Sequence, residues 1–367
     1  MLEHLRFPVE SSRGRRYPEP EHPYRNAFQR DRDRIVHSRA FRRLEHKTQV
    51  FAPALSDHFR NRLTHTIEVA QIARTAANVL GLNEDLTESL ALVHDVGHPP
   101  FAHAGEEALN RMMQRYGESF DHNIQSLRTV DSLEHRYPRF PGLNLSFEIR
   151  EGIVKHSRDY APGENPAVDP YLPGLRPTLE AQLIDLADEI AYNAADLDDA
   201  YEAGLLTTDR IAAGVPAYAE ILDTVETQFP GATERERFQE SVRQLIDDLV
   251  SGLIEGTVRT ARAADLRDPD AVRLHSSRVA RFSDEVCETS LALKRFLFRN
   301  VYSSEALDQD RRDSVARLTR LFEYLMMHPE MVPGIDDAGR SAQRAVCDFV
   351  AGMTDRYFFR VYDALFG

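Results

Sequence analysis

Apolar residues recur at three- and four-residue intervals through most of the chain, and no stretch sustains the period-two alternation of β-branched residues that a half-buried strand requires. That pattern predicts an all-α fold. Residues 62–80 (RLTHTIEVAQIARTAANVL) place Ile67, Ala70, Ala73 and Ala76/Ala77 in helical register and meet Gly81 as a stop. Residues 84–96 form the next helix, closed by Gly97 and Pro99-Pro100. Residues 1–24 read as mostly irregular, and Asn26 to about Val50 as one helix that breaks before Pro53. Further helices are expected at 102–116, 121–135, 146–156, Thr178 to about Glu202, 209–228, 234–264, 279–300, 304–327 and 340–365. Between them, 161–177 holds five prolines and two glycines, a long loop of the kind that usually serves function or moves.

A chain of 367 residues can bury a sizeable core and has room for two or three domains. Two cysteines cannot build a disulfide framework and point to a reducing compartment. With no run of about 18 uncharged apolar residues and no basic-then-apolar leader, the chain reads as cytoplasmic, with no membrane partner. Net charge is −14, yet residues 1–62 carry 14 Lys/Arg against 8 Asp/Glu. An acidic chain with a locally basic segment suits a small polyanion better than non-specific nucleic-acid binding. An ordinary solvated basic helix accounts for the same charge equally well.

Ten of the 14 histidines lie between His37 and His156. His65 shares a helical face with Val69, Ile72 and Ala76 and therefore points into the core. Alone, such a histidine is more often a satisfied core residue than a ligand. His94-Asp95 ends the apolar run Leu90-Ala91-Leu92-Val93, and Asp188 sits in LIDLADEIAY on a core-facing helix. A buried carboxylate needs a cation or hydrogen-bond donors. One shared metal explains all of these oddities together. Imidazole and carboxylate donors suit a divalent ion of the Mn, Fe, Co, Ni or Zn type, with Mg also open. Downstream, His103 and Glu106 are three residues apart and project from one helical face, the spacing of an oriented general base. His122, in FDHNIQSLR, is near enough in sequence to join them, although its neighbour Asp121 reads simply as a helix N-cap.

These segments resemble the dGTPase-like deoxynucleoside triphosphate triphosphohydrolases of the HD superfamily. The likeness is carried by RDRDRIVHSRAFRRLEHKTQVF (30–51), RLTHTIEVAQIAR (62–74), HDVGHPPFAHAGE (94–106), FDHNIQSLR (120–128), EAQLIDLADEIAYNAADLDD (180–199) and CDFVAGMTDRYF (347–358), in the family's order. The resemblance implies an HD-type helical fold with additional C-terminal helices, a catalytic core over 1–205 and a helical region over 206–367. It implies that His65, His94, Asp95 and Asp188 bind the metal. His103 and Glu106 would activate water, with His122 near the α-phosphate. It also implies cleavage between the 5′ oxygen and the α-phosphorus, releasing a deoxynucleoside and tripolyphosphate. Gln49 matches a position beside sugar and base, Arg62 a phosphate contact, and Tyr192 a tyrosine near the 3′-hydroxyl. Lys155 is a further candidate phosphate ligand. Ala195 departs from the family, where histidine or arginine often precedes Asp196.

Two other readings remain open at this point. One is a different HD phosphohydrolase or phosphodiesterase, which would not need the KTQVF and DEIAY segments. The other is a helical nucleotide sensor or single-stranded nucleic-acid binder without catalysis, which predicts damage to His103, Glu106 or a ligand. None is visible. The resemblance also implies a dNTP substrate, a dNTP as allosteric activator, a single-stranded DNA effector and a homo-oligomer.

Overall fold

The computed structural model describes residues 1–50, 59–335 and 339–367; the sequence readings that involve Phe51 and Pro53 fall outside them. Among the described residues the fold is all-α, with only two isolated β-bridges, Arg15 with Ser146 and Thr48 with Asn61. The helices are α1 (Ala27–Val36), α2 (Arg39–Arg43), α3 (Arg62–Leu80), α4 (Glu84–Val93), α5 (Ala102–Gln114), α6 (His122–Arg128), α7 (Phe147–Val154) and α8 (Leu179–Glu202). There follow α9 (Thr208–Gly214), α10 (Pro216–Gln228), α11 (Glu234–Ala263), α12 (Pro269–Leu274), α13 (Asp284–Leu297), α14 (Glu305–Met327), α15 (Ala342–Ala351) and α16 (Asp355–Phe366).

Several boundaries differ from the sequence reading, each for a local reason. The segment expected as one helix from Asn26 is two. Asn26 and Gln29 form a capping box at α1, and a second cap, Ser38, takes the Phe41 N–H at 3.0 Å and starts α2 afresh. The run at 209–228 is divided where Pro216 opens α10, and the run at 340–365 where Thr354 caps α16. Helix α4 stops at Val93, so His94-Asp95 lies in the following turn. Ile67, expected on the apolar face of α3, is exposed, while Val69, Ile72 and Ala76 are buried with His65 as read. The loop at 161–177 contains one short 3₁₀ turn, Asp169–Tyr171.

The chain forms two compact units, each drawn from three stretches. The first comprises Met1–Ser11, Ile67–Ala91 and Gly174–Leu307. Within it α11 packs on α8, α10 and α13, and Thr178 caps α8 through the Ala181 N–H. Glu180, fully buried on α8, accepts the backbone N–H groups of Phe7 and Asn83 at 2.9 and 3.1 Å and so anchors the N-terminal residues. The second unit comprises Ser12–Thr66, Leu92–Pro173 and Asp308–Gly367. Its core sets Leu109, Met112 and Met113 of α5 against Leu321 and Phe322 of α14, Val346 of α15 and Phe358 of α16.

Candidate active site

The second unit gathers most of the chemically interesting side chains. His65 stands in the first turn of α3, and His94 and Asp95 occupy the turn after α4. All three are buried, and their donor atoms lie within 4.8 Å of one another. Two imidazoles and a carboxylate at that separation fit a divalent ion by number, charge and softness. Burial opposes ionisation of Asp95, but His94, His98 and Arg62 outweigh it and hold the carboxyl well below the usual range. Arg62 Nη1 donates to Asp95 Oδ2 at 2.6 Å, and His98 Nδ1 lies 2.9 Å from Asp95 Oδ1. The Arg62 Nε, also buried, has no hydrogen-bond partner among the described residues. An arginine thus stands directly behind the ligand cluster, with donor capacity to spare.

A second cluster lies beside the first. His98, His103 and Glu106 also bring donor atoms within 4.8 Å of one another. Glu106, one turn into α5, is nearer to His122 than to its helical neighbour. Its Oε1 is 2.8 Å from His122 Nδ1 and accepts the His122 backbone N–H at 2.9 Å, whereas His103 Nδ1 is 3.7 Å from Oε2. Burial would raise the Glu106 carboxyl, but the His103 and His122 imidazoles beside it prevail and keep it ionised far below its ordinary range. The His98 and His122 rings lie against each other, tilted by 33° with centroids 3.9 Å apart, and burial keeps His98 neutral at physiological pH. Asp95, His98, His122 and Glu106 therefore form a continuous file running from the ligand cluster to the carboxylate. The side chain of His103 is 82% exposed and faces solvent. Asp121 does cap α6, through the Asn123 and Ile124 N–H groups, which fixes the backbone that carries His122.

Two glycines explain how HDVGHPPFAHAGE folds. A Cβ on Gly97 would stand 2.1 Å from the Ser126 nitrogen, and one on Gly105 1.8 Å from the Pro100 oxygen. The turn and the start of α5 therefore close on neighbouring backbone that any side chain would displace. Phe101 and Ala102 both take left-handed conformations, φ 65° and 51°, immediately before His103. Such conformations cost non-glycine residues about 1–3 kcal/mol each and persist where the surroundings over-determine them.

The remaining candidates are distributed as follows. Gln49 is half-buried, and its side-chain oxygen has no hydrogen-bond partner among the described residues. Lys155 is fully buried, its ammonium held by Glu151 Oε1 and the Leu172 carbonyl, both at 2.9 Å. Asp188 and Tyr192 belong to α8 in the first unit, both half-buried rather than enclosed. Burial, with Glu189, Asp188 and Asp196 following, pushes the Tyr192 hydroxyl up, so it stays protonated. Ala195 is buried, and the adjacent Asp196 accepts from the Tyr302 hydroxyl. The basic segment is less available than its charge suggested. Arg15 pairs with Asp31, Arg34 with Glu19, Arg25 with Asp33 and Arg62 with Asp95.

Sequence reasoning missed four residues here. His98, within HDVGHPPFAHAGE, lies between the two clusters, its Nδ1 2.9 Å from Asp95 Oδ1. His156 brings its ring centroid to 5.2 Å from that of His94. Lys47 is buried and donates to the carbonyls of His98 and Ala351; burial, then Arg43 and Arg62, push its ammonium down to about 7. Asp355 binds two separate backbone segments. For His98 the signal was present, in its place four residues after a ligand histidine. For the other three no local pattern marks the role.

Known proteins resemble this chain along most of its length. The HD domain family matches residues 62–193, and the phosphohydrolase-associated domain family matches residues 280–364. A deoxyguanosinetriphosphate triphosphohydrolase-like protein of Geobacter sulfurreducens is 47% identical, across 97% of this chain and 92% of its own length. Proteins of the same description from Brucella anthropi and Ralstonia nicotianae are 46% and 45% identical, over 97% of this chain and 93% and 92% of theirs.

Proposed function

Because the chain belongs to the deoxyguanosinetriphosphate triphosphohydrolase-like proteins of the HD superfamily, we propose that it hydrolyses deoxynucleoside triphosphates to a deoxynucleoside and tripolyphosphate. The observation that carries this reading is the file of side chains from the His65, His94 and Asp95 cluster to Glu106.

In this reading His65, His94 and Asp95 hold a divalent metal, and Asp188, inside the stretch matched by the HD domain, is the fourth ligand. When bound, the metal would polarise the α-phosphoryl group and lower the pKa of the attacking water. The chain's own residues do the rest. Glu106, ionised, accepts from His122 Nδ1 and fixes that tautomer, leaving Nε2 to face the reacting groups. His103, on the solvent side of the same carboxylate, takes the proton of the attacking water. As the imidazolium, with Nε2 also protonated and Glu106 stabilising the cation, His122 is placed to give that Nε2 proton to the departing 5′ oxygen, while the water proton taken by the exposed His103 passes on to solvent. Arg62 offers its remaining donors to phosphate oxygens, since a triphosphate bears about four negative charges that must be offset. Gln49 meets the sugar and base, and its lone side-chain oxygen awaits a donor. Lys155, already balanced by Glu151, is a phosphate ligand of lesser weight, so Lys155→Met should raise KM less than Arg62→Met does.

Tyr192 stands one turn after Asp188 on α8 and gates the sugar. A ribose 2′-OH left unpaired against its ring would cost about 1–3 kcal/mol. Tyr192→Ala should therefore narrow the dNTP/NTP ratio of kcat/KM; equal losses on both sugars would remove the residue from that role. Homo-oligomerisation, with activation by a second dNTP or by single-stranded DNA, belongs to the same reading. The experiment is a screen of four dNTPs and four NTPs, singly and mixed, with Mn, Mg or Co, following tripolyphosphate. Metal-dependent release from dNTPs is expected. Hydrolysis of phosphodiesters alone would instead favour another HD-superfamily activity.

A further inference from the structure

Asp355 is the first residue of α16, 260 residues beyond Asp95 in sequence, yet its carboxylate serves neither its own helix nor an ion pair among the contacts of the described residues. Oδ2 accepts the backbone N–H of Thr48 at 2.8 Å, and Oδ1 accepts that of Phe101 at 3.2 Å. The cap of α16 is a different residue, Thr354, whose hydroxyl takes the Tyr357 N–H. One carboxylate thus ties together two segments that carry site residues. Thr48 precedes Gln49 and bridges to Asn61, where Arg62 N–H also bonds the Lys47 carbonyl at 3.1 Å, at the start of the helix bearing His65. Phe101 is the first of the two left-handed residues that deliver His103 and Glu106.

The surrounding contacts point the same way. Lys47 donates to the carbonyls of His98 and Ala351, and Arg43 Nη1 donates to Gly352 at 2.6 Å. The Phe101 ring meets Phe358 and Phe359 of α16, with centroids at 4.8 and 5.4 Å. The connection between α15 and α16 is therefore clamped to both site segments. Asp355 supplies the only direction-specific restraint on the Phe101 amide that comes from a side chain among the described contacts.

We propose that Asp355 is a positioning residue: it holds the strained Phe101–Ala102 turn and the Thr48–Gln49 segment in mutual register, so that the C-terminal region sets the geometry of the general base against that of the substrate contact. The proposal rests on the function proposed above for its catalytic consequence, but its structural part does not. An N–H that loses its acceptor exchanges faster, and a left-handed pair released from restraint relaxes. Displacement of a catalytic group by about 1 Å costs on the order of a hundredfold in rate.

The test compares the full-length wild type with Asp355→Ala and Asp355→Asn by amide hydrogen exchange, metal content, thermal unfolding and dNTP turnover. Asp355→Ala should speed exchange in peptides covering 44–50 and 97–104 while metal content stays at the wild-type level. It should lower kcat by about a hundredfold. Asp355→Asn keeps one acceptor oxygen, retains the fold if the alanine variant does not, and should fall between the two in both readouts. Unchanged exchange in both segments overturns the proposal, as does faster exchange with wild-type kcat. A wild type inactive on every dNTP would refute the proposed function alone; the exchange result then decides whether Asp355 restrains the two segments.

Discussion

At the residue scale the two clusters make separable demands. Asp95 is the carboxylate of the buried His65, His94 and Asp95 cluster, held ionised against burial by His94, His98 and Arg62. Glu106 and His103 lie outside that set. Asp95→Ala should therefore strip the metal, whereas His103→Ala should keep wild-type metal content and lose about 10²–10⁴ in kcat. Elemental analysis beside kinetics checks this, and comparable metal loss in both variants would make His103 a ligand. Lys47 gives a test in stability instead. Its ammonium falls from an ordinary 10.5 to about 7 in the folded chain. Between those values the unfolded chain binds more protons. This residue's contribution thus grows more favourable as pH rises through that window and is least favourable below about 7. Thermal melts at pH 7 and 9 should show Lys47→Met losing part of the wild-type gain over that interval. An identical gain in both proteins would mean that Lys47 titrates normally.

Elements were legible where the local code is strong. Residues 62–80 carry a helical repeat and a glycine stop, and α3 has those bounds; Thr178 caps α8 where the sequence placed its start. Breaks were missed where a single polar side chain intervenes, as at Ser38, because a cap inside a helix-forming run looks like a surface residue until its hydrogen bond is seen. His65, His94 and Asp95 stood out in the sequence because polar groups in apolar, core-facing runs are costly without a purpose, and the three are buried together; His103, Glu106 and His122 stood out by spacing and resemblance, and they too lie side by side. Asp355 did not, since its two partners are distant in sequence and are backbone groups, which carry no side-chain signature. The turn into α5 depends on Gly105, whose missing Cβ admits the Pro100 oxygen. Gly105→Ala should cost about 1–3 kcal/mol in urea unfolding through overpacking. A change below about 0.5 kcal/mol would show that the turn yields without strain.

At the scale of the whole molecule, each compact unit is assembled from three separated stretches, which no linear reading of linkers would find. The phosphohydrolase-associated family match at 280–364 runs from the first unit into the second, and its final helix supplies Asp355. Among the described residues no helix is long and apolar enough to cross a membrane. The proposed reaction breaks the bond between the α-phosphorus and the 5′ oxygen, and this is tested most directly by hydrolysing dGTP and the other dNTPs in ¹⁸O-water with metal present, then weighing both products. Attack at the α-phosphorus predicts one ¹⁸O in released tripolyphosphate and none in the deoxynucleoside. Orthophosphate or pyrophosphate as the product, or label in the deoxynucleoside, would contradict it.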